Sequence, residues 1–112
     1  MKKTKSIKLN KDFKRLYYRG KSVVKGNVVV YVMKNRTESN HLGLTCGKSI
    51  GKAVKRNRVK RLIKEAYRLL EDRLLGGYDI VLVARTKCLG SKQIYVLKDL
   101  ESAFDTLGIL EK

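Results

Sequence analysis

The apolar positions of the chain change period several times, and each change marks an element. Phe13, Leu16 and Tyr17 fall at i, i+3 and i+4, the spacing of one helix face. Asn10 stands where a side-chain oxygen can accept from the first free N–H groups of such a helix. Gly20 stands where a left-handed residue would stop it. A short helix over 10–19 is therefore expected. Residues 28–33 are β-branched and aromatic, hence strand-like, and a briefer strand is expected over 22–24. Residues 35–40 are a polar run that reads as a turn. Beyond it Leu42, Leu44 and Cys46 alternate with His41, Gly43 and Thr45, the period of a strand. The strands on either side of the turn are expected to pair as a hairpin.

From residue 52 to residue 75 no Gly or Pro interrupts the chain. Val59, Leu62, Ile63, Ala66, Leu70 and Leu74 recur at helical spacing, and Gly76-Gly77 supplies the stop. Residues 78–84 are nearly all apolar, as in a strand buried on both faces. Ser91 can cap a last helix with Leu97, Leu100, Phe104 and Leu107 along one side. A strand, a long helix and a strand in succession predict a crossover and parallel pairing. The expected order is α-β-β-β-α-β-α. These elements predict one α/β domain over residues 1–112, a two-layer sandwich on a four-stranded sheet, with 1–9 as a flexible basic arm. No repeat or linker divides the chain.

Charge narrows the function. Lys and Arg number 27 against 10 Asp and Glu, a formal net charge of +17. A field of one sign and that size implies a polyanionic partner, nucleic acid or an anionic membrane surface. The longest apolar runs, 28–33 and 80–84, are strand-sized, far short of the roughly 20 residues that cross a bilayer. Residues 1–11 have the positive start of a secretion signal but no apolar stretch after it. A cytoplasmic nucleic-acid binder is the expectation. Cys46 and Cys88 lack CxxC spacing, and His41 is the lone histidine, so no zinc site is expected.

The basic residues concentrate in 47–68, where 9 of 22 positions are Lys or Arg and only Glu65 is acidic. On a helical wheel Asn57, Arg61, Lys64 and Arg68 stack at i, i+4, i+7 and i+11, opposite the apolar stripe. Such a face is often only solvated surface, but here the acids that usually intersperse it are almost absent. Each cation can neutralise one phosphate and release counterions. Arg56 falls near the apolar side of the wheel, where a guanidinium is rarely buried unpaired. The helix's first turn is therefore expected to overhang the sheet, with Arg56 directed into an open cleft. Phe13, Tyr17 and Tyr31 would by default fill a core. The alternative is a platform on which unpaired bases stack.

The run from Leu42 to Arg68 resembles the signature region of the bacterial ribonuclease P protein. It has Gly43-Leu44-Thr45, Lys48, Gly51, Ala53-Val54, Arg56-Asn57-Arg58 and Lys60-Arg61-Leu62-Ile63. Asp12-Phe13, Gly20, Val30-Tyr31 and Asp79 through Arg85 extend the likeness over roughly residues 8–86. Ser49, where a second lysine is common, and Cys46, where an aliphatic residue is usual, depart from it. The resemblance implies a left-handed β-α-β crossover, against the general rule. It implies that Phe13, Tyr17, Tyr31 and Arg56 hold the 5′ leader of precursor tRNA. It implies that Arg56, Asn57, Arg58, Lys60, Arg61 and Lys64 meet the catalytic RNA, and Lys48, Lys52 and Arg68 are added to that set as neighbouring cations. The partners would be that RNA, in a complex of one RNA and one protein, and precursor tRNA. The Mg²⁺ required by the complex would not be held at a protein site.

The polypeptide itself offers little chemistry. Protein nucleases use clustered carboxylates around Mg²⁺ or a histidine acid–base pair. No motif gathers the ten acids here, and one histidine makes no pair. Catalytic side chains are expected to be none, with the RNA subunit doing the reaction. Two other readings stay open, a ribosomal or assembly protein of similar charge and an independent basic nuclease.

Overall fold

A computed structural model describes residues 4–7 and 9–111. The elements are β1 (Thr4–Ser6), α1 (Asn10–Arg19), β2 (Lys21–Val24), β3 (Val28–Lys34), β4 (Asn40–Cys46), α2 (Ala53–Leu70), β5 (Tyr78–Ala84) and α3 (Gln93–Leu107). They form one mixed sheet in the order β1-β4-β5-β3-β2. The sheet thus has five strands, not four. The added strand comes from the segment expected to be an arm, where Thr4, Lys5 and Ser6 pair in parallel with Asn40, His41 and Leu42. What anchors it is polar: the Thr4 hydroxyl donates to Glu71 and lies 2.9 Å from the Tyr67 hydroxyl at the far end of α2.

The expected hairpin between β3 and β4 does not form. β5 lies between them, antiparallel to β3 and parallel to β4. The reason is burial: Ile80, Val81 and Leu82 are all fully buried, and only a central strand hides both faces. Strand β4, helix α2 and strand β5 make the expected crossover with parallel pairing. Asn40 ties the junction, its amide donating to the Leu75 carbonyl and its oxygen accepting from the Tyr78 N–H.

The two sheet faces are covered unequally. Val28, Val30, Val32, Ile80, Leu82 and Leu42 pack with Val59, Ile63, Ala66, Tyr67 and Leu70 of α2 and Val96, Leu100 and Phe104 of α3 in one core. Val81 points the other way and is buried outside that core, as is Leu16 of α1. Helix α1 therefore forms a partial third layer, where a two-layer sandwich was expected.

Several element ends also differ. Leu9, not Asn10, occupies the cap of α1, and its carbonyl accepts from the N–H groups of Asp12 and Phe13. Gly20 is extended (φ −74°), not left-handed. It is glycine because a Cβ there would come 2.6 Å from the Leu16 carbonyl oxygen and 3.0 Å from that of Val32. Helix α2 stops at Leu70 and passes into a 3-10 turn at Glu71–Arg73. The next backbone groups serve the chain's end instead: Leu75 N–H donates to Ile109, and Glu111 N–H to Arg73. Lys92, not Ser91, precedes α3, because the Ser91 N–H closes the turn at Cys88.

Candidate nucleic-acid interface

The register places the cleft. Tyr31 of β3 is opposite Val81 of β5, which is opposite Gly43 of β4. These three form one row across the face beneath α1, where Val81 and Leu16 are both fully buried. The next row on the same face is Val29, Val83 and Thr45, all only partly covered. Helix α1 ends its cover between the two rows, so the sheet continues as an open floor.

Aromatic rings line that edge. Tyr17 meets Tyr31 edge to face, with centroids 4.9 Å apart, and remains 42% exposed. Burial against the sheet pushes the Tyr17 phenol up from its ordinary pKa, with Thr45 acting in the opposite direction. The edge of the Phe13 ring reaches Gly43, where a Cβ would come 2.6 Å from its Cε1 and 2.7 Å from its Cζ. All three aromatics are thus half-open around one surface, and only Leu16 of the predicted α1 face is fully buried. The opposite end of the groove is polar. Asp79 is 5% exposed and is held by His41 Nδ1 at 2.8 Å, Asn35 Nδ2 at 3.0 Å and Arg15 at 3.5 Å.

Helix α2 supplies the cations. Asn57, Arg58, Lys60, Arg61, Lys64 and Arg68 are all exposed, while Val59, Ile63 and Ala66 are buried. Arg56 is half-covered. Its charge and that of Lys60 act on Cys46, so the first turns of α2 stand beside the end of β4, one residue from Thr45. Burial nevertheless dominates and pushes the Cys46 thiol up. Lys48 and Lys52 are exposed in the turn before α2. Arg68 is not a free cation, because it pairs with Glu65 at 3.1 Å. Among the described residues no group of three or more His, Cys, Asp or Glu is placed to hold a metal ion. No described helix is long and apolar enough to cross a membrane.

A family model described as Ribonuclease P matches residues 1–108. The chain belongs to the ribonuclease P protein family. A relative from Clostridium botulinum (strain Langeland / NCTC 10281 / Type F), named ribonuclease P protein component, is 47% identical over 98% of this chain and 95% of its own length. One of the same name from Clostridioides difficile (strain 630) is 40% identical over 94% and 90%. The solved RNase P protein of Staphylococcus aureus superposes with a TM-score of 0.84 at 31% identity, covering 95% of this chain and 97% of that one. That of Thermotoga maritima gives 0.79 at 28%, covering 88% and 93%.

In this ribonuclease P protein the aromatics and the cations can be picked out from the sequence, but the floor between them cannot. Val29, Val83 and Thr45 carry no chemical signature. Only the alternation of Gly43 and Thr45 with Leu42 and Leu44 hinted that they share a second face. The Asp79–His41–Arg15 cluster is not legible there either, since its members lie far apart in the sequence.

Proposed function

We propose that this chain is the protein subunit of ribonuclease P and helps an RNA subunit remove the 5′ leader of precursor tRNA. The observation that carries the proposal is the open sheet floor walled by Phe13, Tyr17 and Tyr31, with Arg56 beside the strand end that closes it. A single strand has bases to stack and phosphates to neutralise, and this groove offers rings and a cation for each. The catalytic RNA would bind Asn57, Arg58, Lys60, Arg61 and Lys64 of α2, with Lys48, Lys52 and Arg68 at the margins. In this reading the RNA and its Mg²⁺ ions do the chemistry in the cytoplasm, in a complex of one RNA and one protein. The protein holds the leader and screens phosphate repulsion.

Reconstitution with a bacterial ribonuclease P RNA at low Mg²⁺ tests it. The protein should raise leader cleavage, and alone it should cleave nothing. Stacking contributes about 1–3 kcal/mol per base, so Tyr31→Ala should weaken binding of leader-bearing tRNA roughly tenfold relative to mature tRNA. A lowered melting temperature with an unchanged precursor-to-mature ratio would assign Tyr31 to packing alone.

A further inference from the structure

A second groove lies away from the leader cleft, between α2 and the turn that leads into α3. Its volume is about 420 Å³, within the roughly 300–1,000 Å³ of small-molecule sites. The floor is apolar. Val59 and Cys88 are buried in it, and Leu62 and Leu89 are half-buried along it. Arg58 and Arg61 form one rim, both exposed and, among the described residues, without an ion pair, while Glu65 on the same side is engaged by Arg68. Ser91 and Gln93 form the other wall, a hydroxyl and an amide that can each donate and accept.

We propose that this groove receives one unstacked nucleobase of the RNA bound by α2. The proposal rests on the RNA-binding reading above and deepens it. It brings into the interface the 88–93 segment, to which the sequence assigned no binding role. A nucleobase is apolar on its faces and polar on its edge, as the floor and the Ser91–Gln93 wall require. Its own phosphate can lie against Arg58 or Arg61. A nucleotide brings this anion with its base, so covering the groove does not leave the two guanidiniums desolvated without a partner.

Gln93→Trp sets an indole over the groove. The chain has no other tryptophan, so the same side chain reports folding by its fluorescence. The variant should bind a bacterial ribonuclease P RNA about tenfold more weakly, the effect of removing one stacked base. Its salt dependence should keep the wild-type slope, because every phosphate keeps its cation. In the unaltered protein, the Leu62 and Leu89 methyl resonances should move upfield when that RNA binds, since ring currents act only at short range. A folded variant with wild-type affinity, or one whose slope flattens with its affinity, overturns the proposal. So do methyls that stay in place in the bound complex. Failure of the unaltered protein to bind the RNA would instead remove the α2 reading, and the groove with it.

Discussion

At Gly43 a missing side chain lets the edge of a ring reach a strand. A Cβ would sit 2.6 and 2.7 Å from two carbons of Phe13, closer than any relaxed approach. Gly43→Ala must lift Phe13, and with it the start of α1. Overpacking of this kind costs about 1–3 kcal/mol. The variant should melt lower and bind precursor tRNA more weakly; an unchanged melting curve would mean that the ring moves aside freely. Tyr67 gives a second residue-level test. It is fully buried, edge-on to Phe104 with centroids 6.2 Å apart, and burial pushes its phenol up to about 12 from 10. The folded state then holds this proton more tightly than the unfolded one. Its contribution is complete below pH 10 and is lost as pH rises towards 12, at about 1.4 kcal/mol per pH unit. Tyr67→Phe removes that titration, though it also removes the bond to Thr4. Its stability relative to the wild type should therefore improve between pH 10 and 12 in denaturant titrations. A constant difference would place no proton there. The helix period exposed Leu16 and Ile63 as core positions, yet it could not find Tyr67. That ring lies on the same flank of α2 as Arg56, eleven residues earlier, and only the shape of the sheet decides which of the two is covered.

At the scale of elements, α2 is one helix with two tasks. Its buried stripe carries the core, and its opposite side keeps Arg61 and Lys64 in solvent, where the neighbouring Glu65 pairs with Arg68 and neither cation has an ion pair among the described residues. Arg61→Ala or Lys64→Ala should weaken binding to the catalytic RNA and lower the log–log salt slope by roughly 0.7–0.9 for each phosphate left without its cation. Arg68→Ala should lower it less, because Glu65 already competes for that guanidinium. Circular dichroism should report unchanged folding in all three; an unfolded variant would assign its residue to the core. Equal slopes for Arg61 and Arg68 variants would show that the Glu65 pair opens on binding. Most of this helix was legible, because a local period fixes which residues face together. The sheet order was not. Adjacent strands 28–34 and 40–46 looked like a hairpin, and nothing local announced that 78–84 would separate them. That choice is made by burial summed over the whole sheet, as is the pairing of 4–6, which depends on Tyr67 and Glu71 more than sixty residues away.

For the whole molecule the governing quantity is +17 spread over a body of 36 × 31 × 24 Å. At an ionic strength of 0.01 M the screening length is about 30 Å, comparable with the protein itself, so every cation repels every other. Near 0.15 M it falls to about 8 Å, and only neighbours interact. Against this repulsion stand, among the described residues, the pair of Arg15 with the buried Asp79 and a few surface pairs, Arg15 with Asp12, Arg68 with Glu65 and Arg73 with Glu101, each of which contributes about 0–1 kcal/mol. Repulsion should win, so the free protein should melt higher as NaCl is raised over that range. Affinity for RNA should move the other way, because salt reduces the gain from releasing counterions. The two dependences share a cause: the same unneutralised charge destabilises the protein alone and is satisfied by its partner. Binding RNA at low salt should accordingly raise the melting temperature more than binding at high salt does. Differential scanning calorimetry of the protein with and without the catalytic RNA, at both ionic strengths, measures all three quantities. A free protein that melts lower with added salt would mean that the surface pairs outweigh the repulsion and that the net charge is not what selects the partner.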